Sequence, residues 1–262
     1  MRRYLIALTA VSVLSVTASH SAAQGNSPPR GNATESEIAA YAALLSTPVG
    51  ALAPLMITPG AKVETKFTAV TGRYSYLSSD GGNANSFGAS FYHRAGMNAA
   101  ISGTLGYSTA ADCAVDCGTL LVGADVHSTL WNNKTSGTNN RTRGANKNAR
   151  GLAAATKSVN LQGSLGYGSG AVAKYLSVAV GLPVSFSIAR SNSARVSAFV
   201  TPGFGWGKVS PDGGAAESGT RPMIGAGAAW LATSGWGVHA SFNKVIVDGG
   251  GNAFGLGYSW KM

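Results

Sequence analysis

Residues 254–262 read FGLGYSWKM. On a strand, successive side chains point to opposite faces. Phe254, Leu256, Tyr258, Trp260 and Met262 then share one face, and Gly255, Gly257, Ser259 and Lys261 share the other. The large apolar groups lie on one side and the small or polar groups on the other, at a terminus where ordered chain is least expected. A soluble sheet buries its apolar face and wets a face rich in Lys, Glu and Asp. Here the polar face is nearly uncharged.

The same division runs through most of the chain. From residue 61 onward, ten segments of strand length alternate with period two: 61–77, 85–95, 97–108, 119–131, 157–168, 173–188, 194–207, 220–232, 236–247 and 252–262. Turn chemistry separates them, including SSDGGNAN, GSG, SPDGGAAESG, TSG and DGGG. In MNAAISGTLGYS, Met97, Ala99, Ile101, Leu105 and Tyr107 oppose Asn98, Ser102, Thr104 and Ser108; in SVNLQGSLGY, Val159, Leu161, Leu165 and Tyr167 oppose Ser158, Asn160, Gln162 and Ser164. An apolar exterior around a lightly polar interior describes a transmembrane barrel, a soluble barrel turned inside out.

Composition agrees. Charged residues make up 11% of the 262, well under the usual quarter, and glycine contributes 36. At the N-terminus, Arg2 and Arg3 precede the apolar run YLIALTAVSVLSV and the small residues SHSAA, the order of a secretory signal peptide, with cleavage expected after Ala23. The run is too short for a spanning helix, which needs about 20 residues. Without residues 1–23 the chain keeps 18 Lys+Arg against 10 Asp+Glu, a net charge of +8. Export implies an oxidising compartment, so Cys113 and Cys117 in DCAVDCG are expected to form a small loop disulfide. Two thiols fall short of a structural zinc site, and no metal or other cofactor is expected.

Residues 24–60 form a leader. Within it TESEIAAYAALLS carries a capping box, Thr34 with Glu37, predicting a short helix ended by Pro48. The proline-broken apolar stretch to residue 59 has three open readings: a plug, a membrane-surface segment, or packing beneath a barrel mouth. Residues 61–262 make up the barrel, an antiparallel up-and-down arrangement of about ten strands, with eight or twelve as alternatives. Pro183 and Pro202 fall inside predicted strands, where a missing N–H costs a ladder bond.

At this point the chain resembles the small bacterial outer-membrane β-barrel family, of the OmpA-like and OmpW-like kind, over residues 61–262 and the signal peptide. The alternation and the closing strand carry the resemblance. Gly255, Tyr258 and Trp260 match the spacing that the barrel-assembly machinery reads in that family, while Met262 stands where many members end on an aromatic. The resemblance implies Sec-dependent export and an outer-membrane location, with outer-membrane lipid and lipopolysaccharide as partners.

With a periplasmic N-terminus, Tyr107, Tyr167 and Trp206 fall at the upper ends of strands and Trp131, Trp230, Trp236 and Trp260 at lower ends. These are the two aromatic girdles a membrane barrel needs. In the same numbering the loop 132–156 emerges on the periplasmic side, where short turns are usual. It holds Lys134, Arg141, Arg143, Lys147 and Arg150 without an acid, which suits either a solvated loop or contact with an anionic envelope polymer; no nucleic acid is expected.

Polar residues on the predicted lumen face include Asp125, His127, Arg195, His239 and Lys261. Asp125 and His127 on one face raise the possibility of a general base, as in an omptin-like surface protease. No further acidic pair accompanies them, and lumen packing accounts for both. The expected function is therefore non-enzymatic, in envelope integrity or surface interaction. A narrow pore for small or apolar solutes is the alternative; a surface protease and a secreted β-sandwich adhesin stand behind it.

Overall fold

A computed structural model of the chain describes residues 67–79, 82–94, 99–110, 118–132, 157–171, 173–190, 193–247 and 250–262. The strands are β1 (Phe67–Ser79), β2 (Gly82–Arg94), β3 (Ala99–Ala110), β4 (Gly118–Asn132), β5 (Lys157–Gly170), β6 (Ala173–Gly181), β7 (Val184–Arg190), β8 (Ala194–Pro211), β9 (Glu217–Ala232), β10 (Trp236–Val245) and β11 (Asn252–Lys261). The predicted short helix, the signal peptide and the Cys113–Cys117 pair lie outside the described residues.

Apart from β6 and β7, each strand pairs antiparallel with its chain neighbours, and β11 pairs with β1, from Ala69 opposite Lys261 to Ser78 opposite Asn252. That pairing closes the sheet, with the β4–β5 pairing completing the circuit. β6 and β7 occupy one place in the ring. β5 pairs with both, and β8 pairs with both. The barrel therefore has ten strands, one of them interrupted.

Proline explains the interruption. Leu182 and Pro183 separate β6 from β7, because Pro183 has no N–H to give the ladder. The neighbours still bond across the gap: Leu182 N–H donates to the Pro202 carbonyl at 2.9 Å, and Asn160 N–H donates to the Pro183 carbonyl at 2.9 Å. Pro202 itself stays within β8, in register with Ile224. The two prolines that fit the alternation poorly thus sit at one height on adjacent strands, where one breaks the strand and the other does not.

The faces separate as the alternation predicts. Leu105, Leu120, Ile188 and Phe204 point outward and are 64%, 59%, 59% and 63% exposed. Inward residues are mostly small or polar and closed off from solvent, with Thr71, Asn160, Ser177 and Thr201 all 0% exposed, though Tyr92, Leu121 and Met223 are also buried inside. In β11, Phe254 and Leu256 face out, as does Met262 just after it, while Gly255 and Ser259 are buried.

Both ends of the described chain lie on one rim. Met262 N–H donates to the Thr68 carbonyl at 2.9 Å, and Lys261 N–H donates to the Gly235 carbonyl at 2.7 Å. Gly235, in the turn after β9, has φ of +93°, which glycine adopts without strain. Asn132 and Lys157 end their strands on this same rim, so the chain between them leaves and returns beside the termini.

Close strand approach is written into the glycines. A Cβ on Gly227 would collide with the ring of Phe199 and the carbonyl of Ala240. Replacing Gly227 with Val should lower the stability of the purified barrel by roughly 1–3 kcal/mol, the usual cost of overpacking. A urea midpoint in detergent micelles would read this, and an unchanged midpoint would show that the wall yields freely there.

Candidate functional site

The polar lumen is the one place where chemistry-bearing side chains converge among the described residues. It is lined by strand rows rather than loops. Cross-strand hydroxyl pairs tie the rows together: Thr71 with Ser259 at 2.8 Å, Ser90 with Thr104 at 2.6 Å, and Ser86 donating to Ser108 at 3.0 Å. Each bond joins two side chains that period-two alternation points inward at matching registers.

Asp125 is the centre of this network and is 3% exposed. Ser102 of β3 donates to its Oδ2 at 3.0 Å, and Ser164 of β5 donates to its Oδ1 at 2.7 Å. Both serines stand directly opposite Asp125 in the ladder, so register alone delivers them. Gln162 Nε2 in turn donates to Ser164 Oγ at 3.4 Å. Arg73 of β1 supplies an opposite charge within electrostatic reach of Asp125, and it also acts on His239 of β10. Arg73 was not singled out in the sequence. Its only signal is the alternation Thr71, Arg73, Ser75, which puts the guanidinium on the inward row.

His127 is buried at 2% exposure, and neither ring nitrogen has a hydrogen-bond partner. It sits in register with Gln162, whose Oε1 is likewise unpartnered. Asp125 and His127 therefore share a face without bonding. The carboxylate is spent on two serines. Arg195, His239 and Lys261 all lie on inward rows and are half-buried. The His239 ring lies against the backbone of Gly257, where a Cβ would strike it. The Lys261 stem packs against Gly235 at the terminal rim. No group of three or more His, Cys, Asp and Glu gathers to hold a metal among the described residues.

The aromatic residues predicted for the two girdles occupy the outer face. Tyr107 and Tyr167 lie near the ends of β3 and β5 away from the termini, 37% and 43% exposed, and Tyr107 packs against Phe87 with ring centroids 5.7 Å apart. Trp206 is in the same half of β8, in register with Val178 and Thr220. At the terminal rim, Trp236 stands in register with Trp260, meets Trp230 edge-on at 4.6 Å and stacks with Tyr258 at 6.1 Å. Trp131 is 51% exposed on the same rim, just past an irregularity in the β4–β5 register.

A closed ladder, a wall of exposed aliphatic side chains and a sequestered polar interior belong together only where the outer solvent is apolar. The architecture is that of a small transmembrane β-barrel. Solved structures of this kind are similar to the chain. Ail of Yersinia pestis, in complex with the heparin analogue sucrose octasulfate, is 14% identical over 75% of this chain and 97% of its own, with a TM-score of 0.30. The N-terminal β-barrel domain of Pseudomonas aeruginosa OprF is 12% identical over 76% and 98%, with a TM-score of 0.34. The β domain of the Bordetella autotransporter BrkA is 14% identical over 76% and 100%, with a TM-score of 0.40. Neither a protein-family model nor a curated protein sequence matches. No ligand or activity passes to this chain from likenesses of this order.

The network predicts its own fragility. Asp125→Ala removes the acceptor of two serines and the counter-charge of Arg73, and should destabilise the barrel by about 3–5 kcal/mol. Adding Arg73→Met should recover part of that loss, because the uncompensated buried charge is then gone. Chemical denaturation of the two variants would test this; equal stability of single and double variants would mean that the Arg73 and Asp125 charges are not coupled.

Proposed function

We propose that this chain is an outer-membrane barrel with a sealed lumen, exported by its N-terminal signal and serving envelope integrity or surface interaction without enzymatic activity. The observation that carries the reading is the closure of the inward face. Asn160, Gln162, Thr201 and Ser259 are at most 1% exposed, although they come from β5, β8 and β11 around the ring. A water-filled channel would leave such groups wet, as larger barrels do.

The non-enzymatic part of the reading rests on His127. A general base needs an orienting partner and access to substrate. His127 has neither, since Asp125 is held by Ser102 and Ser164 and the ring is closed off from solvent. The two aromatic belts are read as interface anchors. Gly255, Tyr258 and Trp260 serve as the signal for the assembly machinery. The basic residues of 132–156 are read as a contact for anionic envelope polymers.

The space lined by Arg73, Ser75, Ser86, Thr104 and Leu121 within the barrel is only about 10 Å³, room for about one water, which fits a sealed lumen better than the narrow pore.

In planar bilayers the sealed barrel should give no unitary openings; regular, reproducible openings would instead establish the pore. The purified protein should also migrate faster unboiled than boiled after detergent extraction, the mark of a folded membrane barrel. Partition into the aqueous phase with identical migration would overturn the membrane reading. Peptide hydrolysis that is lost in His127→Ala would overturn the non-enzymatic one.

A further inference from the structure

The outer face of the β6–β8 pair differs from the rest of the wall. Its paired rows, read from the rim opposite the termini, are Lys174 with Ser210, Leu176 with Lys208, Val178 with Trp206, and Val180 with Phe204. Two ammonium groups head a column that becomes aromatic and then aliphatic. Lys174 is exposed and Lys208 half-buried, while Leu176, Val178 and Val180 are 36%, 39% and 50% exposed. Among the described residues, no hydrogen bond or ion pair engages either lysine.

The surroundings are donors. Ser169 of β5 is in register with Lys174, and Ser218 of β9 with Lys208. Tyr167 and Thr220 flank the next rows down, opposite Leu176 and Trp206. Of the described acids in the upper half of the barrel, Glu217 shares the inward row of Val209, and Asp212 sits in the turn after β8. Two like charges on diagonal cross-strand positions, about 7–8 Å apart, repel unless an anion lies between them. The upper outer face of β1–β5 shows no such pair. It carries Tyr74, Tyr76, Phe87, Tyr107, Leu120 and Tyr167.

We propose that the β6–β8 face binds a phosphate-bearing acylated lipid of the outer leaflet. Lys174 and Lys208 clasp the phosphate, the flanking hydroxyls add hydrogen bonds, and Trp206 marks the level at which headgroup gives way to acyl chain. The aliphatic rows below receive the chains. Ammonium groups near a membrane surface attract anionic headgroups, and an aromatic at the interface fixes depth. The assignment rests on the outer-membrane reading above, because it requires this wall to face lipid.

Native mass spectrometry of the detergent-solubilised barrel, using bis-phosphorylated lipid A and its dephosphorylated form as probes, would test it. Heat-modifiable migration is checked first on every sample. Wild type that fails that check sinks the membrane reading, and this proposal with it. In heat-modifiable wild type, the phosphorylated probe should bind at least about tenfold more tightly than the dephosphorylated one. Lys174→Gln with Lys208→Gln should lose that preference, whereas Lys157→Gln, at the terminal rim, should keep it. A preference kept by the double variant, or lost equally in Lys157→Gln, overturns the site. Complete displacement of the lipid by millimolar inorganic phosphate would show a free-anion site and would also overturn it. If the double variant fails to fold, Lys174→Arg with Lys208→Arg supplies the decision: the preference must survive there.

Discussion

Every strand of this molecule depends on the hydrogen bonds that join β11 to β1. An open sheet presents two edges of unpaired N–H and C=O groups, and in hydrocarbon no water exists to satisfy them. Closure removes both edges at once. Once the ring is closed, the backbone makes no further demand on the outer surface, which is free to be Leu, Val, Phe and Trp. The interior inherits the opposite freedom. It accepts serine and threonine because many of the hydroxyls find another hydroxyl, a carboxylate or a carbonyl across the ladder.

Size is divided between the faces less strictly than polarity, since Tyr92, Leu121 and Met223 are buried inside. Gly227 and Gly257 allow the Phe199 and His239 side chains to lie flat against neighbouring backbone, so the few large inward groups are accommodated by local absence of side chain. Buried charge is handled with similar economy. One carboxylate takes hydrogen bonds from two strands and shares the field of one guanidinium, a geometry in which neither charge is left alone.

The period-two pattern made the architecture legible, since a strand has only two faces and a barrel assigns each a single environment. The outward row of β11, from Phe254 to Met262, could be read directly, and so could the inward placement of Asp125, His127 and Lys261. Partner choice was harder. Alternation says that Ser102 and Ser164 point inward, but only register places both opposite Asp125, and register is set by turns and bulges that composition does not reveal. The two prolines show the same limit. Pro183 and Pro202 look alike in sequence, yet one interrupts its strand and the other is carried within it, because the outcome depends on which neighbour's N–H and C=O remain available. The lysine pair on β6 and β8 escaped notice for a related reason: the two residues lie far apart in the chain and meet only through pairing across the wall.

The pairing of the first and last described strands also orders events in time. Most of the other strand pairs join neighbours in the chain, and β5–β7 and β6–β8 skip only one strand. The Thr71–Ser259 contact spans 188 residues and awaits both ends. Loop-closure entropy makes such a long-range pairing slow compared with a hairpin. The ring must therefore pass through an arc with two raw edges before it seals. In that interval the barrel is least protected, and any factor that holds the first and last strands near each other acts on the slowest step.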